Sequence, residues 1–193
     1  MFKLSRLIKI GLRLLLGSFI LLFGFCNSNF SIHTNKQQLT SDKKTRPVNW
    51  LKPTGGPYPK IGRNEPIWIK VSKANQRVYI MKGNNIIYTM ICSTGLDTSP
   101  DTSTPKGTFH IQQERGISFY NASEKEGAKY WVSWKDHGEF LFHSFATDKN
   151  GNVIQSEAKK LGHKASHGCV RLAVPDAKWI YDNIRYNTKV VIS

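Results

Sequence analysis

From Ile67 onward the chain is written almost entirely in short apolar runs, each cut off by a cluster of Gly, Asn, Ser or Pro before it is long enough for a helix. The runs are IWIKV (Ile67–Val71), RVYIM (Arg77–Met81), IIYTMIC (Ile86–Cys92), GTFHIQ (Gly107–Gln112), YWVSW (Tyr130–Trp134), EFLFHSF (Glu139–Phe145) and TKVVI (Thr188–Ile192). Apolar segments of this length between turn-formers predict β-strands. KGNN at Lys82–Asn85 links the second and third as a hairpin turn. One segment breaks the pattern. PDAKWIYDNI (Pro175–Ile184) has proline in its first turn and Ala177, Ile180, Tyr181 and Ile184 at helical spacing, which predicts one amphipathic helix. The expectation is a mainly β domain over residues 66–193 that carries one helix.

What precedes that domain has a different character. Lys3, Arg6, Lys9 and Arg13 lead into an uncharged run of 13 residues from Leu14 to Cys26, the length of an export-signal core. Extended back to Ile8, the run has the length of a membrane anchor, with Lys9 and Arg13 able to reach the cytoplasmic head groups. Residues 1–26 therefore read as a hydrophobic leader, signal peptide or membrane anchor. The expected location is outside the cytoplasmic membrane, in the cell envelope, secreted or held by the N-terminus. Bulky Phe23 and Phe25 argue against lipidation at Cys26. Residues 27–65 are polar, then rich in proline and glycine (PTGGPYPK, Pro53–Lys60), and read as a flexible basic tether that forms no core.

Charge adds a partner class. The chain carries 28 Lys and Arg against 13 Asp and Glu, and residues 1–65 hold 11 of the basic and 2 of the acidic residues. A basic tail of this kind suits anionic envelope polymers or lipid head groups. No helix-turn-helix, zinc-finger or RNA-recognition signature is present, so nucleic acid is not an expected partner. Three cysteines, Cys26, Cys92 and Cys169, are too few for a disulfide scaffold or a paired zinc site. Cys92 falls in an apolar run and reads as core, where pairing with Cys169 would silence that thiol. Tyr130, Trp131 and Trp134 read as strand core residues, with a groove lining as the alternative for one of them.

The chemistry concentrates between Phe140 and Leu172. In Ser166-His167-Gly168-Cys169-Val170-Arg171-Leu172 a cysteine follows histidine and glycine in what reads as a turn before the helix. A thiol presented there suits acyl transfer, with Gly168 letting backbone N–H groups approach a reacting carbonyl. At an ordinary pKa of about 8.5 little of that thiol is ionised, so the nucleophile needs a base. His143, His163 and His167 are the candidates. His143 is favoured because it is a polar ring in a run that is apolar on both faces, which demands a partner. His167 is expected to shape the turn or orient the base, and His163 to be exposed. A zinc set of His163, His167 and Cys169 in a wall-binding module lacks a fourth ligand.

SHGCVRL, the upstream FHS and the passage from STG (Ser93–Gly95) to TPKGTF (Thr104–Phe109) together resemble the catalytic domain of the L,D-transpeptidases, the YkuD-type domain, over residues 67–193. The resemblance implies a β-sandwich-like fold with a helix near the catalytic cysteine. It implies Cys169 as nucleophile, His143 as general base, and Ser166, His167 and Gly168 as the supporting turn with its oxyanion donors. Arg171 and Ser144 fall at positions near the substrate. Neither cofactor nor metal is implied. Peptidoglycan stem tetrapeptides would serve as donor and acceptor, with release of the terminal D-alanine and formation of 3-3 cross-links. The alternatives are L,D-carboxypeptidase action on the same stems, or a non-catalytic wall-binding domain. Three departures stand out: His143 stands 26 residues before Cys169, with the surplus in a polar stretch read as a surface loop; Ser144 stands where glycine is common; and Ala173 replaces a residue that is polar in some members.

Overall fold

The computed structural model describes residues 48–193, so the hydrophobic leader (1–26) and residues 27–47 of the expected tether lie outside the described residues. Among the described residues nine strands form one sheet: β1 (Ile67–Ser72), β2 (Arg77–Lys82), β3 (Asn85–Ser93), β4 (Gly107–His110), β5 (Arg115–Asn121), β6 (Glu126–Lys135), β7 (Phe140–Ser144), β8 (Val170–Leu172) and β9 (Lys189–Ile192). Their order across the sheet is β4-β9-β1-β2-β3-β8-β7-β6-β5. A one-turn helix, α1, spans Gln155–Ala158, and α2 spans Val174–Asn183. The fold is mainly β, as expected, and α2 lies one residue upstream of the expected bounds at both ends.

The sheet curls back on itself. Phe109 on the outer strand β4 meets Trp134 on β6 with ring centroids 5.0 Å apart, although seven places separate those strands in the order. Beyond β4 the chain crosses to the far side: Gln112 N–H donates to Ser133 O at 2.8 Å, and Ser133 N–H donates to Glu114 O at 2.9 Å. The curl encloses one core, in which Ile69, Val71, Val78, Ile80 and Met90 meet Val132, Trp134, Phe142 and Leu172, with Ala177, Ile180 and Ile184 of α2 also buried in it. The β2–β3 hairpin pairs Lys82 with Asn85 across Gly83, whose φ of 56° is the left-handed geometry a two-residue turn requires.

Two strands escape the sequence pattern for opposite reasons. β5 is an edge strand exposed over most of its length, so its residues show no alternation. β8 has three residues, all buried. It lies antiparallel to β3 and parallel to β7, and is a strand because its neighbours make it one.

Over residues 48–65 the tether reading needs correction, because this stretch packs on the domain. Thr54 Oγ1 donates to Asp176 Oδ2 at 2.5 Å and accepts from Ile91 N–H at 2.9 Å, while Tyr58 OH donates to Asp176 Oδ1 at 2.8 Å. The Tyr58 ring stacks on Trp179 with centroids 5.7 Å apart. Gly55 is required at this crossing, since a Cβ there would stand 2.2 Å from Thr89 O. Proline and glycine forbid regular structure but not burial, and burial is what decides the strap. Asp176 is fully buried, which raises its carboxyl pKa against the opposing pull of the Thr54 and Tyr58 hydrogen bonds. Asp176→Ala leaves those donors without an acceptor and is expected to cost about 2–4 kcal/mol in urea unfolding, with Tyr58→Phe milder at about 1 kcal/mol.

Candidate active site

Parallel pairing of β7 with β8 assembles the site. The register sets His143 opposite Arg171, with Phe142 opposite Val170 and Ser144 opposite Leu172. Side chains two apart on a strand share a face, so Leu141 and His143 of β7 stand beside Cys169 and Arg171. Parallel strands need a long crossover, and residues 145–169 supply it. That stretch is more than the surface loop expected: Ala158 and Leu161 are buried with Phe145 and Ala173 in a second small core. A cleft of about 440 Å³ opens over the shared face, and Cys169, His143, Ser166, His167 and Arg171 all line it.

The resting thiol is neutral. Cys169 Sγ lies 3.4 Å from Leu141 N, which donates to it, and 3.4 Å from Glu139 O, to which its S–H donates. Burial pushes the Cys169 thiol up to about 11, against the lowering effects of the Leu141 N–H and the Arg171 charge. His143 is 6% exposed, and its Nδ1 lies 2.6 Å from Ser144 O. A carbonyl can only accept, so Nδ1 carries the proton and Nε2 is left with its lone pair, the tautomer a general base needs. Burial, helped by the Arg171 charge, lowers the His143 pKa to about 3 despite the Ser144 carbonyl. The pair therefore rests as thiol and neutral imidazole.

Arg171 is clasped from two sides. Its Nη1 donates to Glu157 Oε2 at 2.8 Å and its Nη2 to Glu126 Oε2 at 3.0 Å, with 8% of the side chain exposed. Glu157 comes from α1 in the crossover and Glu126 from the start of β6, and neither was visible as a partner in the sequence. Phe119 of β5 stands edge-on to the His143 ring at 5.9 Å. Four carboxylates, of Asp101, Glu124, Glu126 and Glu139, line the cleft of a chain whose net charge is +15.

Several expected roles change. Ser144 is fully buried; its Oγ accepts from Lys129 N–H at 2.8 Å and donates to Phe145 O at 2.9 Å. It cannot face a substrate, and it serves the site through the carbonyl that fixes His143. Gly168 N–H is taken by Ser166 Oγ at 3.1 Å, so Gly168 contributes conformation rather than an oxyanion donor. Its φ is 134°, and a Cβ would stand 2.8 Å from the Phe140 ring. His167 lies exposed at the cleft, while Ser166, Gly168 and Thr104 shape the turn and the Ser144 carbonyl orients the His143 ring. His163 is exposed and Cys92 buried, both as expected. Trp134 is core, whereas Trp131 borders a recess with Phe119 and Leu141 beside the cleft.

Thr104 is a structural member of the site whose role the motif alone did not reveal. Its Oγ1 accepts from Gly95 N–H and donates to Gly168 O, both at 2.8 Å, joining the STG and TPKG passages to the cysteine turn. Thr104→Val keeps the shape and strands both partners, and is expected to lower unfolding stability by about 2–3 kcal/mol, read by chemical denaturation.

Comparison with known proteins agrees with this geometry. Residues 66–192 match the family model for the YkuD L,D-transpeptidase catalytic domain. The Bacillus subtilis (strain 168) protein named "Putative L,D-transpeptidase YciB" is 53% identical over 167 residues, which cover 84% of this chain and 86% of that one. Two solved structures share the fold: an L,D-transpeptidase from Mycobacterium smegmatis (TM-score 0.52, 18% identity, 66% of this chain and 58% of that chain) and one from Mycobacterium tuberculosis H37Rv (TM-score 0.51, 20% identity, 66% and 57%). The chain thus spans less than two thirds of either solved chain. With a cysteine just before β8 and a tautomer-fixed histidine on the parallel strand β7 lining one cleft, and with these matches over most of its length, the chain belongs to the L,D-transpeptidase (YkuD) catalytic-domain family.

Proposed function

We propose that the protein is an exported cysteine L,D-transpeptidase that joins peptidoglycan stem peptides by 3-3 cross-links through a Cys169 acyl-enzyme. The observation that carries the reading is the placement of Cys169 and His143 in one cleft, with Nδ1–H of His143 committed to Ser144 O and Nε2 free. His143 Nε2 takes the thiol proton as sulfur attacks the carbonyl of the third stem residue. Backbone N–H groups beside Cys169 receive the developing oxyanion. The imidazolium returns its proton to the departing D-alanine amine, which leaves a thioester. An amine of a second stem, giving its proton to His143, then attacks the thioester carbonyl and expels the thiolate, which is reprotonated from the imidazolium.

Leu141 N–H and the Arg171 charge both favour the thiolate at that moment, which suits a thiol that rests protonated. The cleft carboxylates support an amine-bearing substrate, since they attract the ammonium form of an acceptor. The basic residues before the domain are suited to anionic envelope polymers, and the leader to export and retention at the membrane.

The test is mass spectrometry of products after incubation of the purified full-length chain with disaccharide-tetrapeptide, with a carbapenem as probe of the thiol. Loss of terminal D-alanine together with 3-3 dimers is the expected result. Tripeptide without dimers would reassign the protein as an L,D-carboxypeptidase. Inertness to both reagents would overturn the enzyme reading in favour of wall binding alone.

A further inference from the structure

Between β6 and β7 the backbone passes three residues in succession through positive φ: Asp136 at 52°, His137 at 47° and Gly138 at 109°. Aspartate and histidine enter that region more readily than most residues, but as single residues, so two in succession before a glycine call for a hold from their surroundings. Gln112 supplies the hold. Its Oε1 accepts from His137 N–H at 2.9 Å and from the Ser133 hydroxyl at 2.7 Å, and Ser133 Oγ in turn accepts from Gly138 N–H at 2.9 Å. The clasp stands on a firm base, because the Gln112 backbone is hydrogen-bonded to Ser133 on β6. Glu114 adds an exposed contact to His137 Nδ1 at 2.8 Å.

The clasped segment leads directly to the reactive sulfur. Glu139, next after Gly138, offers the carbonyl that receives the Cys169 S–H, and Leu141 offers the N–H that points to Sγ. One contact favours the thiol and the other the thiolate, so the placement of this segment sets how readily Cys169 ionises. Gln112 lies outside every motif around the cysteine and does not line the cleft.

We infer that Gln112 is a positioning residue for the Cys169 thiolate, acting through the left-handed segment Asp136–Gly138 to hold Leu141 N–H against the sulfur. The inference rests on Cys169 being the nucleophile.

The experiment follows alkylation of Cys169 by iodoacetamide across pH, read on the Cys169 peptide by mass spectrometry, alongside kcat and KM for tetrapeptide turnover, all in the full-length chain. Gln112→Leu is expected to raise the apparent pKa of alkylation by about one unit, with alkylation near neutral pH about tenfold slower, and to lower kcat about tenfold with KM within twofold. Ser133→Ala, a small change in a folded strand, is expected to shift both in the same direction by a lesser amount, and it decides the matter if Gln112→Leu does not fold. Tyr58→Phe, which loosens the distant strap, should leave the alkylation profile unmoved. An unchanged profile and kcat in both clasp variants would overturn the inference, as would an equal shift in Tyr58→Phe. A wild-type chain inert to iodoacetamide and tetrapeptide would instead overturn the assignment of Cys169, a result distinct from an active wild type matched by its variants.

Discussion

Cys169→Ala is expected to remove tetrapeptide turnover, a fall of about six orders of magnitude in kcat of the kind seen when a covalent nucleophile is deleted. The loss should be chemical rather than structural. Cys169 is half-buried, and the Leu141 N–H and Glu139 carbonyl that its sulfur contacts at 3.4 Å belong to residues lining the cleft, where water can take the place of the sulfur in the alanine variant. The turn around it is held by other groups: Ser166 Oγ donates to Cys169 O at 2.6 Å and Thr104 grips Gly168 O. The melting transition of the variant should therefore stay close to that of the wild type while product formation vanishes. Turnover persisting in Cys169→Ala would show that another group carries the reaction.

His143→Ala is expected to reduce kcat by a factor of about 10² to 10⁴, the usual contribution of a general base. Its pH dependence is distinctive. Because burial and Arg171 hold the His143 pKa down near 3, the imidazole stays neutral in the fold, and activity should show no protonation limb from this group between pH 7 and about 4. Stability runs the other way. An unfolded histidine binds a proton below its ordinary pKa of about 6.5 while the folded His143 does not, so protonation favours the unfolded chain. Stability should therefore decline as pH falls from about 6.5 toward 3, and His143→Ala should lack that part of the decline. Urea titrations of both proteins across this range test it; identical slopes would show that His143 does not hold its depressed pKa.

Much of the site was legible because its chemistry is local. A cysteine after His-Gly in a turn, and a histidine in a strand apolar on both faces, can be recognised from their neighbours in the chain, as can the hairpin at Gly83 and the helix at Pro175. The resemblance of FHS to the family motif put Ser144 near the substrate, but a motif does not tell which groups of the neighbouring strand reach a side chain: Lys129 N–H of β6 binds its hydroxyl. The residues 48–65 were misread because their turn-formers exclude helix and strand while leaving open a fit against Asp176 and Trp179.

Sequence by itself determined the strand-rich character of the domain and its principal helix, and singled out Cys169 and His143 as the candidate pair, because periodicity, turn preference and nucleophile type are properties of neighbouring residues. Only the tertiary structure decided that β8 is a strand, that Glu126 and Glu157 clasp Arg171, that Thr104 pins the cysteine turn, and that Gln112 holds the backbone beside the sulfur. Each of these depends on groups brought together across long stretches of chain by the curl of the sheet, and burial and hydrogen-bond geometry exist only once that curl has formed.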